Sequence, residues 1–244
     1  MEFSSIASFE LTLPSPAENL ACDEALLEGA EAVHCPGMLR FWESKSYFAV
    51  LGYANKAADE LDLNACAAHQ IPILRRCSGG GTVLQGPGCL NYSLILPIDE
   101  SGPLANITSA NRYIMDRQCG AIARLSGEKV MVAGHTDLVI GGLKFSGNAQ
   151  RRQRRHLLFH GTFLLDFDLA LVSRFLLAPS RQPEYRRGRG HGDFLMRLEV
   201  KRDALQEALQ EAWNARPTAS EPPRQIMARL MDEKYSRDDW NRRW

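Results

Sequence analysis

The residues best equipped for chemistry begin at Arg75 and Arg76, which stand just ahead of three consecutive glycines, Gly79, Gly80 and Gly81, in the stretch RRCSGGGTV. An apolar approach, Ile71 to Leu74, precedes them, and a β-prone run, Thr82, Val83 and Leu84, follows. The glycines therefore read as a turn between two strands. Such a turn has no Cβ atoms to keep a ligand away from backbone N–H groups, and two guanidinium groups beside it suit a phosphate or a carboxylate. The same spacing also fits a plain flexible turn. Two nucleotide motifs are excluded. No Lys-Ser or Lys-Thr pair follows, as a P-loop requires, and the spacing does not match G-x-G-x-x-G at the start of a helix.

A second stretch runs from Asp137 to Thr162, DLVIGGLKFSGNAQRRQRRHLLFHGT. Lys144 lies between Leu143 and Phe145 in an expected strand, so its ammonium either points to solvent or is held by an anion. Arg151, Arg152, Arg154 and Arg155 surround Gln153. That run fits a solvated loop, or a positive lip guiding a phosphate-bearing ligand or an acidic protein. His156 and His160 are four apart, but the segment reads as extended and lacks H-E-x-x-H, so no metal site is assigned. The six cysteines contain no C-x-x-C pair, which argues against disulfides and a structural zinc site. Cys77 and Cys89 flank the glycines, as packing residues or as reactive thiols.

The elements that must position these residues follow from periodicity. Helices are expected at Asn19–Ala32, Asp59–Ala68, Ile107–Leu125, Val200–Trp213 and Pro223–Met231. Met38–Trp42 and Tyr47–Leu51 read as a β-hairpin. Strands are expected at Leu90–Leu96, Val130–Val132, Leu138–Ile140, Leu143–Phe145 and His156–Leu165, with Gly141-Gly142 as a tight turn and Arg216–Glu221 as a polar linker. Helix and strand do not alternate regularly, so the fold class is α+β with a mixed, largely antiparallel central sheet flanked by helices.

With 244 residues, 45% of them hydrophobic, the chain can bury a large core as one domain, 1–244. Lys plus Arg and Asp plus Glu are 29 each, which excludes nucleic-acid binding through bulk positive charge. No signal-peptide core and no apolar run of about 18 residues is present, so a cytoplasmic protein is expected, without a membrane partner.

Taken together, ENLACDEALL, RRCSGGGTV followed by LNYS, DLVIGGLKFSGNAQ, FHGT followed by LLDFDL, PEYRRGRGHGDF and KYSRDDWN resemble the catalytic domain of the lipoate-protein ligase A family, within the lipoyl and biotinyl ligase group. The resemblance implies a fold like that of class II aminoacyl-tRNA synthetases and biotin ligases. It also implies a two-step reaction: lipoate and ATP, with Mg²⁺, form lipoyl-adenylate, and a lysine of a lipoyl carrier domain then takes the acyl group. Carriers of that kind are a 2-oxoacid dehydrogenase E2 domain or a glycine-cleavage H-like protein.

The resemblance assigns Lys144 as the catalytic cation bridging carboxylate and α-phosphate. Arg76, Gly79, Gly80, Gly81, Thr82, Val83, Leu84 and Asp137 join it around the adenylate, while Arg75, Gly80, Lys144 and His160 contact lipoate. The expected protein is a monomer. It is expected to be without the C-terminal accessory domain of the long ligases, which leaves open a separate accessory subunit. An Asn precedes the aspartate in much of the family, whereas Thr136 stands here. The rival reading is an octanoyl or lipoyl transferase working without ATP through a cysteine thioester, but the loop Ser126–Thr136 carries no cysteine. A biotin ligase is set apart by a different arginine- and glycine-rich loop.

Overall fold

The computed structural model describes residues 5–33, 35–179 and 181–243. Eleven strands run in chain order: β1 (Ile6–Glu10), β2 (Met38–Trp42), β3 (Phe48–Leu51), β4 (Ile73–Arg75), β5 (Val83–Gln85), β6 (Cys89–Pro97), β7 (Val130–Ala133), β8 (Asp137–Ile140), β9 (Leu143–Arg152), β10 (His156–Leu164) and β11 (Ala215–Pro217). Eight of them form one sheet in the order β11-β1-β2-β6-β10-β9-β8-β7, and β4-β3-β5 form a second. β1 pairs in parallel with β11 and β2, and the remaining pairs of the large sheet are antiparallel. This is the mixed α+β class expected from the sequence.

The large sheet is covered on both faces, so its central strands are buried almost end to end. On one face, Phe41, Leu90, Tyr92, Leu94, Phe159 and Phe163 form the main core. The helices α4 (Ile107–Ser126) and α7 (Arg202–Ala212) lie against it, α4 stopping at Gly127 in the left-handed region. On the other face, Ile95 and Leu158 meet α1 (Pro16–Ala32). Ser15 and Glu18 close a reciprocal capping box there, with Pro16 at the first helical position.

Three expectations change. Met38–Trp42 and Tyr47–Leu51 are not a hairpin: β2 pairs with β6 in the large sheet, while β3 pairs with β4 and β5 in the small one. Local polar-turn chemistry favoured the hairpin, but two apolar runs can each find a better partner far along the chain. Asp59–Ala68 divides into α2 (Ala57–Glu60) and α3 (Leu63–Ala68), because Asp62 caps the second and Leu61 bridges to Leu176. Part of the expected linker at 216–221 is strand, since β11 extends the sheet edge. The Gly141-Gly142 turn holds, both residues having positive φ, +58° and +81°. Among the described residues, no helix is long and apolar enough to cross a membrane.

Phe163 is fully buried and stacks on Tyr92 with ring centroids 5.4 Å apart. Phe163→Ala is therefore expected to cost about 3–5 kcal/mol, read from the shift in urea unfolding midpoint at unchanged slope.

Candidate functional site

Strand alternation alone would put Lys144 and Ser146 on the same face, towards the main core. Instead the pairing slips: Leu138 faces Ser146, whereas Val139 faces Lys144. The bulge turns Phe145 into the core, where it is fully buried, and Lys144 onto the opposite face. There its ammonium meets Asp137 Oδ1 at 2.8 Å, half-shielded from water. The Tyr185 hydroxyl donates to the other oxygen, Asp137 Oδ2, at 2.7 Å. Burial and the Asp137 charge push the Tyr185 phenol well up, so it remains a donor. Gly147 leaves the space the lysine needs, since a Cβ there would sit 2.7 Å from Lys144 Nζ.

The glycine loop joins β4 to β5 and crosses towards the same face. A Cβ at Gly79 or Gly81 would meet open space, while Gly80, at φ +89°, approaches Ala149 of β9. Arg76 shapes the loop from inside. Its Nη2 donates to the carbonyls of Gly79 (2.6 Å) and Gly81 (2.8 Å), and its Nε to Ser78 Oγ at 3.1 Å. With two carbonyls drawn towards Arg76, no Cβ at Gly79 or Gly81 stands between the loop backbone and the open space around it. Gly52 is a second requirement, because any Cβ there would collide with the Gly80 carbonyl.

Arg75 takes the other direction. Its guanidinium is fully buried and donates to the carbonyls of Gly52, Tyr53, Asn55, Trp240 and Arg243. Those bonds occupy its Nε, Nη1 and Nη2 on backbone, away from the glycine turn, so the structure gives this residue a fastening task. Burial lowers both guanidinium groups to about 10, Arg75 with help from Arg243, which leaves both cationic at neutral pH.

A buried polar chain reaches the loop from below. In register across the sheet, Arg40 faces Ser93, Ser93 faces His160, and His160 faces Ala149, so one row carries them all. Ser78 Oγ and His160 Nε2 share a hydrogen bond of 2.6 Å. On its other side the ring approaches Asp23 Oδ2 at 3.6 Å. Asp23 is paired with Arg40 at 2.6 Å, both side chains almost wholly buried. Burial pushes the Asp23 carboxyl up, but Arg40, His160 and Ser93 outweigh it and the net displacement is downward.

Thr82 and Val83 are half-buried beyond the loop, and Leu84 packs under the small sheet with Ala49 and Leu51. The structure thus brings Lys144, Asp137, His160, Arg76 and the glycines to one face, and turns Arg75 and Leu84 away from it. Sequence reasoning missed Tyr185, Asp23 and Arg40. The first lay in a basic stretch whose one aromatic hydroxyl was a usable signal. The other two were hidden in an apolar helix and strand, where a charged residue at a core position was the signal.

Five of the six thiols are displaced by their surroundings. Burial pushes the Cys22 thiol up to about 12 and raises Cys66, Cys77, Cys89 and Cys119 as well. Cys35 lies at the far end of β10, where its carbonyl meets His156 at 3.0 Å. Among the described residues no group of three or more His, Cys, Asp and Glu could hold a metal ion. No residue is assigned to Mg²⁺ on that basis.

Comparison with known proteins adds to the geometry. A family model described as the lipoyl protein ligase A/B catalytic domain matches residues 15–210. The chain is 28% identical to the octanoyltransferase LipM of Bacillus subtilis, over 93% of this chain and 94% of that protein. It is 27% identical to lipoate-protein ligase A subunit 1 of Thermoplasma acidophilum, over 91% and 90%. Among solved structures, a T. acidophilum protein described as a lipoate protein ligase with bound lipoic acid superposes with a TM-score of 0.80 at 25% identity, covering 98% of this chain and 100% of the other. A lipoate-protein ligase A bound with ATP gives 0.81 at 26%, covering 98% and 99%.

The depressed Asp23 carboxyl stabilises the fold above its ordinary value of 3.8, and that contribution is lost as pH falls through the lower folded value. Asp23→Asn leaves Arg40 buried without its counter-charge. It should lose about 3–5 kcal/mol near neutral pH. Its stability should also fall less steeply than that of the parent on acidification below pH 3.8. Urea titrations across that window check both.

Proposed function

Because this chain belongs to the lipoyl protein ligase A/B catalytic-domain family, we propose that it is an ATP-dependent lipoate-protein ligase. On this reading it activates lipoate as lipoyl-adenylate and passes the acyl group to a lysine of a lipoyl carrier domain. The observation that carries the reading is a fixed ammonium, Lys144 on Asp137, sharing one face with a bare glycine backbone.

Each residue then has a physical task. As the carboxylate of lipoate attacks the α-phosphate, the bond to the β-phosphate breaks, pyrophosphate leaves, and Lys144 holds the two reacting groups while negative charge grows on the α-phosphoryl oxygens. Asp137 and Tyr185 keep that ammonium oriented before substrate arrives. Arg76 presents the glycine N–H groups, and His160 holds Ser78 at the edge of the loop. In the second step the carrier lysine attacks as the neutral amine and AMP leaves. ATP and lipoate are substrates here, with Mg²⁺ accompanying the triphosphate. The bound lipoic acid and ATP of the two similar structures favour these ligands.

The second reading is an octanoyl or lipoyl transferase without ATP, favoured by the similarity to the Bacillus protein. It needs a thiolate at the site, and the raised thiols weigh against it. The subunit designation of the Thermoplasma relative keeps a separate accessory subunit within the proposal. A monomer in the cytoplasm is the proposed setting.

The test incubates the chain with ATP, Mg²⁺, lipoate and an apo lipoyl carrier and follows the carrier's intact mass. A gain of one lipoyl group that requires ATP, and a fall of about 10²–10³-fold in rate for Lys144→Ala, is the expected result. Transfer from an octanoyl carrier without ATP would overturn the ligase reading in favour of the transferase. The exposed Arg154 on the β9–β10 turn is proposed to meet an acidic carrier. Arg154→Glu should then raise KM for the carrier several-fold at low salt, an effect that fades as salt is added, checked by initial rates against ionic strength.

A further inference from the structure

The motif KYSRDDWN at the end of the chain is not used by the chemistry above, yet it is tied to the site more closely than any catalytic step requires. The chain passes from α8 (Arg224–Leu230) through a π-helical turn, Met231–Tyr235, into the short helix α9 (Asp238–Asn241). Lys234 and Tyr235 both reach the buried Glu24 of α1, at 2.6 and 2.7 Å, which anchors this turn beneath the sheet. From that anchor the last residues arrive at the outer edge of β4.

Among the described residues β4 is an edge strand, paired only on its β3 side. At Arg75 its free side is completed by side chains. The Arg75 N–H donates to Asn241 Oδ1 at 3.1 Å, and the Arg75 carbonyl accepts from Trp240 Nε1 at 3.0 Å. The two side chains thus supply the acceptor and the donor that a neighbouring strand would have supplied. The Arg75 guanidinium returns the bond, donating to the carbonyls of Trp240 and Arg243 on the tail and of Gly52, Tyr53 and Asn55 on the neighbouring loop. Arg243 lies over the rings of both Tyr53 and Trp240, 4.1 Å from each centroid, and closes the same joint from outside.

This joint continues directly into the glycine loop. The Arg76 N–H bonds to the Leu51 carbonyl and the Tyr53 N–H to the Ser78 carbonyl, while Gly52 carries Gly80 with no space to spare. We propose that Trp240, Asn241 and Arg243 are positioning residues for the substrate-binding backbone. They fix Arg75, Arg75 fixes the 52–55 loop, and that loop sets the height at which Gly79 to Gly81 meet an anionic ligand. The proposal rests on the reading of the glycine loop as a ligand site and names the part of the chain that regulates its order.

The test compares the full-length chain with Trp240→Phe, which keeps a ring but removes the N–H donor, and with Trp240→Phe/Asn241→Leu, which also removes the acceptor. Arg237→Ala, at an exposed pair with Asp239, is the control for general perturbation of the tail. Hydrogen exchange without substrate should be about tenfold faster at the Tyr53 and Arg76 amides in the double variant, less so in the single one, and unchanged in the control. In carrier acylation assays KM for ATP and for lipoate should rise about tenfold, with kcat within about twofold of the parent. Unaltered exchange at both amides would overturn the proposal. A lowered melting temperature with unaltered KM would also overturn it, reducing the tail to a structural role. If the parent shows no ATP-dependent acylation, the ligase reading fails, whereas the exchange measurement still decides the coupling between tail and loop. The single variant keeps the test decisive should the double variant fail to fold.

Discussion

Two consecutive guanidinium groups organise this molecule. Residues that follow one another along a strand point to opposite sides, so Arg75 and Arg76 have to find partners in different places. Burial makes that obligatory, since a cation removed from water without hydrogen bonds costs several kcal/mol. Arg76 meets the demand by folding the glycine turn around itself. Arg75 meets it by gathering backbone from two distant segments. The loop shape and the closure of the small sheet are two answers to one electrostatic constraint.

The same rule accounts for the floor of the site. α1 buries Asp23 and Glu24 side by side, and each has its own cation, Arg40 from β2 and Lys234 from the π-helical turn that precedes α9. A helix with two buried carboxylates would be a liability alone. In this fold it joins the sheet to the tail, and His160 and Ser78 extend the chain of polar contacts up to the glycines. Asn148 does a comparable service at the other end. It accepts from the Tyr92 hydroxyl and donates to the Thr136 carbonyl, which fixes the turn ahead of Asp137. Gly161 is needed across the ladder because any Cβ there would collide with that amide.

Much of this was legible beforehand where local chemistry decides. The bare turn at Gly79 to Gly81 and the Gly141-Gly142 hairpin rest on residues with few alternatives, the long helix expected at Ile107–Leu125 rests on its periodicity, and each stands where the pattern put it to within a residue. The division of Met38–Trp42 and Tyr47–Leu51 between two sheets was not legible. Two apolar strands joined by a polar turn satisfy a hairpin as well as they satisfy separate partners. Arg75 was equally opaque, since charge beside a glycine loop reads as ligand binding until its hydrogen-bond partners are seen.

The sequence by itself determined the α+β class, the family and the identity of the cationic and glycine-rich residues, because residue type and spacing along the chain carry those properties. Only the tertiary structure decided which face those residues serve. Lys144 reaches the face that carries Asp137 because a bulge at Phe145 breaks the strand's period of two, and that slip depends on the packing of Phe145 and Leu138 in the core. Arg75 and Arg76 part company because one of the two segments that meet Arg75 lies far along the chain, Trp240 being 165 residues away. Periodicity is a local property, while the partner of a buried charge is fixed by whatever the whole fold brings beside it.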